Sequence, residues 1–140
     1  MSSSLWVDLH GAAVHFPLGL TICSLLCDAG GSLVRDREAA RSLHSAGYWT
    51  ILLAAGGSVV AVASGLVMTR GEMLGADSLR QHHQFVWPAF ALLTGLATWR
   101  FLVGEGAQVR ARLLYLLFAA IAAALMIGAG YWGGKMMISP

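Results

Sequence analysis

The chain has 140 residues, of which 57% are hydrophobic and 11% charged, with a net charge of only +2. A soluble domain carries roughly 25% charged residues, so this composition excludes one and predicts an integral membrane protein. The charges are too few and too scattered for a nucleic-acid partner, and the length predicts a single domain over 1–140.

Four apolar segments follow one another: Gly11–Val34, His44–Met68, His82–Val103 and Arg112–Gly134. Each is close to the roughly 20 residues an α-helix needs to cross a bilayer's hydrocarbon core. Their connections are short and polar, which makes successive helices antiparallel neighbours. The expected fold is all-α, an up-down bundle of four transmembrane helices. Met1 to Asp8 carry no Lys or Arg, so the first segment reads as a retained helix rather than a secretory signal.

The first segment carries His15 within Val14-His15-Phe16-Pro17. An ionisable group at membrane depth is costly and by default marks a function with a partner. His10 lies just outside the apolar run and would diverge from His15 by roughly 140° on a helix; it reads as an interfacial residue. Cys23 and Cys27 read as small packing residues on one face, and the absence of Cys-x-x-Cys-His excludes c-type haem attachment. Asp28 lies near the far end of this helix, with Ser32, Arg41 or a protonated His44 as expected partners. The second segment opens near His44 and places Gly57, Ala61 and Gly65 at intervals of four. Such stripes let helix backbones approach closely in lipid, where the hydrophobic effect does not drive association.

The third segment opens with His82 and His83, about 100° apart on a helix, so one of them faces the bundle axis. Pro88 predicts a kink. The fourth carries Ala120, Ala124 and Gly128, then Gly130 and Gly134, another small-residue stripe. Trp and Tyr residues near the segment ends match the interfacial aromatic belt.

Arg35, Arg37, Arg41, Arg100, Arg110 and Arg112 lie on one side of the expected bundle, against Arg70, Arg80 and Lys135 on the other. Positive charge marks the cytoplasmic side, which puts both termini in the periplasm and the chain in a bacterial inner membrane as a multi-pass protein. Up-down topology gathers His10, His15, His82 and His83 at one face, whichever way the chain is inserted. Two neutral imidazoles on opposing helices can hold a b-type haem in a helix bundle. The expected site is His15 with His83 or His82 on the haem iron, with Arg70, Arg80 or Lys135 near the propionates.

The stretch Leu9 to Leu20, with Val14-His15-Phe16-Pro17 at its centre, resembles the opening motif of a bacterial family of small four-helix membrane proteins, domain of unknown function 2231. Asp28, Ala46-Gly47-Tyr48-Trp49, His82 or His83, and Gly130 with Gly133-Gly134 resemble its later landmarks. Gly11 replaces a common proline, and Lys135-Met136-Met137 replaces the usual apolar-aromatic ending. The resemblance implies the four-helix membrane fold; its histidines are compatible with haem. With so little chain outside the membrane, the expected role is an electron-transfer subunit of a membrane redox complex rather than a complete enzyme. Its expected partners are lipid, other subunits, and quinone or a periplasmic cytochrome. The alternative is a cofactor-free accessory subunit that docks a larger membrane complex.

Overall fold

The computed structural model describes residues 2–104 and 108–138. Four helices follow in order: α1 (Ser2–Leu33), α2 (Arg37–Met68), α3 (Asp77–Val103) and α4 (Val109–Ile138). All four are long and apolar enough to cross a membrane. They start before the apolar segments, α1 by nine residues and α2 by seven, and α1 and α2 are 32 residues each. At 1.5 Å per residue such a helix is about 48 Å long, well over the roughly 30 Å hydrocarbon layer. Hydropathy marks where a helix is in lipid, not where its backbone hydrogen bonding stops.

Each helix packs on its two sequence neighbours in the ring α1–α2–α3–α4–α1, so α1 lies diagonally opposite α3 and α2 opposite α4. The inward faces repeat every three and four residues. On α1 they are His10, Val14, Pro17, Thr21, Ser24 and Asp28. On α2 they are His44, Gly47, Ile51, Ala54, Ser58 and Ala61; α3 gives Ala89, Leu93, Leu96 and Arg100; α4 gives Tyr115, Ala119, Ala122, Met126 and Ala129. This is the seam spacing of helices packed in a left-handed bundle. Small and polar residues fill the seams, while large apolar ones such as Leu26, Leu53, Phe101 and Leu117 are exposed on the outside. That distribution suits a lipid solvent.

Glycines admit side chains from the neighbouring helix. A Cβ on Gly57 would come within 2.6 Å of the Phe16 ring, and one on Gly128 would meet Phe85 as closely. The stripes on α2 and α4 are therefore receptor grooves for aromatic side chains of α1 and α3.

Connections are short. Asp36 caps α2, its carboxylate accepting from the amides of Glu38 (3.0 Å) and Ala39 (2.8 Å), as N-caps do. Between α2 and α3 the chain turns through left-handed backbone at Arg70, Gly71 and Gly75, and the Trp87 indole N–H holds the loop at the Met73 carbonyl (2.7 Å). Helix α3 continues through Pro88.

Candidate functional site: a histidine-lined cavity and a buried ion network

The two ends of the bundle hold different polar chemistry. At the end formed by the start of α1, the end of α2, the start of α3 and the end of α4, a cavity of about 600 Å3 is lined from all four helices. Its size is in the range of small-molecule and cofactor sites. His10, His15, His82 and His83 all line it, with Gly65, Gly130, Gly133 and Gly134 supplying floor and wall.

The histidines are held differently. His10 Nδ1–H donates to the Ala61 carbonyl on α2 (3.0 Å) and lies 3.1 Å from the Ser64 hydroxyl. His82 Nδ1–H donates to the Ala129 carbonyl on α4 (2.8 Å). A carbonyl only accepts, so both contacts put the proton on Nδ1 and leave Nε2 as the lone-pair nitrogen, the arrangement metal-ligating histidines use. The two half-sites match further. A Cβ on Gly65 would come within 2.9 Å of the His10 ring, and one on Gly133 within 3.4 Å of the His82 ring. Each glycine lies one turn beyond its accepting carbonyl, four residues after Ala61 or Ala129. His10 and His82 stand on the diagonal helices and also line a smaller cavity of about 90 Å3 deeper in the bundle.

His15 is exposed at the cavity's rim, its Nδ1–H donating to Gly11 of its own helix (2.7 Å). The divergence of His10 and His15 around α1 thus aims His10, not His15, across the helix interface. His83 is buried beside His82 and Trp87, with ring centroids 5.8 and 5.9 Å away. Its Nδ1 has no hydrogen-bond partner among the described residues. Asp28 Oδ2 and two nitrogens of Arg100 at the other end of the bundle are likewise unpartnered among the described residues. Arg70 and Arg80 are exposed at this end and do not line the cavity. Lys135 is exposed too and lies over the Tyr131 and Trp132 rings, 5.2 and 4.9 Å from their centroids.

Among the described residues no three His, Cys, Asp or Glu side chains converge to hold a metal ion. A porphyrin iron asks the protein for only two axial donors, and His10 and His82 offer two lone-pair nitrogens from opposite helices beside an open volume. The donor set therefore fits haem better than a free ion.

At the other end Asp28 is fully buried. Its Oδ1 accepts from His44 Nδ1–H (2.8 Å) and from Arg100 Nη2 (2.8 Å), and Arg100 also donates to the His44 carbonyl (3.0 Å). Arg112 donates to His44 Nε2 (2.8 Å). Arg100 lies over the Tyr115 ring, 5.0 Å from its centroid. Tyr115 donates to Ser24 (2.7 Å), which donates in turn to the Gly47 carbonyl (2.8 Å). Gly47 is obligatory here: a Cβ would stand 2.5 Å from Asp28 Oδ2. Of the expected partners of Asp28, His44 is one in fact. Arg41 is not; the buried cation is Arg100, which in the sequence counts only toward the charge bias of this end. Ser32 bonds the backbone carbonyl of Asp28, not its carboxylate. Both ring nitrogens of His44 are thus engaged within the protein.

No curated protein and no solved structure matches the chain. The model of the family described as "Predicted membrane protein (DUF2231)" matches residues 7–139. The motif around His15 and the four-helix architecture agree with that match, and the chain belongs to this family of membrane proteins.

Proposed function

We propose that the chain is a membrane-embedded, b-type cytochrome-like electron-transfer subunit, in which His10 and His82 would hold a haem b in the histidine-lined cavity. The observation that carries this reading is the matched pair of imidazoles, each fixed by Nδ1–H to a carbonyl of the adjacent helix with Nε2 uncommitted. Bound haem would supply a one-electron redox centre. The protein's part is to orient the two rings against Gly65 and Gly133 and to keep the site in an apolar surround that Val14, Val86 and Phe90 provide. His15 and His83 complete the cavity wall near the membrane face, where Arg70 and Arg80 are the cations nearest in sequence for carboxylates reaching the rim.

Without Arg100, which is inside the bundle, the Arg-rich end still outnumbers the histidine end. The positive-inside bias thus favours a bacterial inner membrane with the histidine cavity and both termini periplasmic. Electrons would pass between a periplasmic donor and quinone or a neighbouring subunit of a redox complex. The test is the absorption spectrum of the detergent-purified chain, expressed with ample haem, before and after dithionite. A Soret band and a sharp reduced α-band of b type are expected. A colourless, folded protein would overturn the proposal in favour of a cofactor-free accessory subunit.

A further inference from the structure

A second cavity, of about 690 Å3, opens at the opposite end of the bundle from the histidines. It is bounded by the last turn of α1 (Gly31, Ser32), the first turns of α2 (Arg37, Arg41, His44) and the first turn of α4 (Val109, Arg112). Three guanidinium groups and an imidazole line it, and among the described residues no acidic side chain does. We propose that this cleft binds the phosphate of an anionic ligand, either a phospholipid headgroup or a free phosphate.

Four observations lead there. First, Arg37 and Arg41 are one turn apart on α2, so their side chains share a face. Arg41 Nε donates to the Arg37 carbonyl (3.3 Å), which holds its stem along the helix. Secondly, Asp28 and Asp36 are committed elsewhere, and Glu38 in the first turn of α2 does not line the cleft. Both ion pairs found among the described residues converge on Asp28, which lies behind His44 and is matched by Arg100. The Asp36 carboxylate is occupied in capping α2. Neither ion pair found among the described residues involves Arg37 or Arg41. Thirdly, the starts of α2 and α4 add the positive ends of two helix dipoles, against the single negative end of α1. Fourthly, the inner wall is fixed. Arg112 holds His44, His44 is locked to Asp28, and Gly31 leaves the space the His44 ring occupies, since a Cβ there would come within 2.8 Å of it. Guanidinium groups suit phosphate oxygens because they present paired donors in a fork. Basic clefts between membrane helices on the cytoplasmic side are lipid-headgroup sites by the same chemistry.

The test uses the full chain in detergent micelles, titrated with short-chain phosphatidylglycerol, short-chain phosphatidylcholine or inorganic phosphate, and read by native mass spectrometry and thermal unfolding. Saturable binding of one phosphatidylglycerol per chain is expected, at least tenfold tighter than phosphatidylcholine. It should weaken at least tenfold in Arg37→Gln/Arg41→Gln, whose exposed positions leave the fold intact by melting temperature. Arg35→Gln/Arg110→Gln removes the same charge from that end outside the cleft and should change binding less than threefold. Inorganic phosphate that binds alone and competes identifies a free phosphate as the ligand; phosphate that does not compete identifies the lipid. Equal binding of both lipids with no phosphate binding, or equal weakening in the two double variants, overturns the proposal.

Discussion

His44 and the pair His10 and His82 are the same residue type at the two ends of one bundle, and they do opposite things. His44 spends both ring nitrogens inside the protein, donating to Asp28 and accepting from Arg112. His10 and His82 spend only Nδ1, on backbone carbonyls, and border open volume. The first arrangement is a closed cross-link of α1, α2, α3 and α4; the second is a pair of oriented imidazoles that border a cavity. Membrane histidines are therefore told apart by how many of their nitrogens the protein itself uses.

The largest expected effect breaks the closed end. Asp28→Ala strands the buried Arg100, and removing one partner of a buried pair costs about 3–5 kcal/mol. Thermal unfolding in detergent should show a much lower midpoint or no folded protein. The double variant Asp28→Ala/Arg100→Leu, with no charge left to strand, should recover a large part of that loss. Gly47→Ala comes next. Its methyl must displace the Asp28 carboxylate, and overpacking of this kind costs about 1–3 kcal/mol, again read from the unfolding midpoint.

At the open end the stability effects are smaller and the ligand effects larger. His82→Ala removes one hydrogen bond to a carbonyl, a loss of about 1 kcal/mol to the apo fold, while haem retention on a column should collapse. Gly65→Ala forces the His10 ring to move, since the new Cβ would stand 2.9 Å from it. Changes of this kind next to a ligand commonly cost about 10–100-fold in metal affinity, measurable by haem transfer to a competing apoprotein. Arg70→Gln and Arg80→Gln, both exposed, should each move the unfolding midpoint by the equivalent of less than about 0.5 kcal/mol.

Much of this was legible in the chain. Length and hydropathy predict the four helices, and up-down topology alone collects four histidines at one end. The identity of the inward faces was harder to see, because in lipid the most apolar residues face outward and seams are built from small and polar ones. From sequence Arg100 enters only as one of six arginines that set the charge bias of its end of the bundle. Yet Leu93, Leu96 and Arg100 continue one seam, and Asp28 needed a buried cation. His10 was read as interfacial because the apolar run begins at Gly11. The seam through Val14, Pro17, Thr21, Ser24 and Asp28 extends back to His10 by the same step of four, and that spacing was the available signal. The orphaned His83 nitrogen and the two carbonyl acceptors depend on how neighbouring helices meet, which no local pattern encodes.

The most direct measurement compares reduced absorption spectra of the wild-type chain with His82→Ala and His15→Ala, each purified after expression with ample haem. Ligation by His10 and His82 predicts that His82→Ala loses the sharp b-type α-band and that His15→Ala keeps it. A His82→Ala protein that retains the full band, or a His15→Ala protein that loses it, would contradict the assignment.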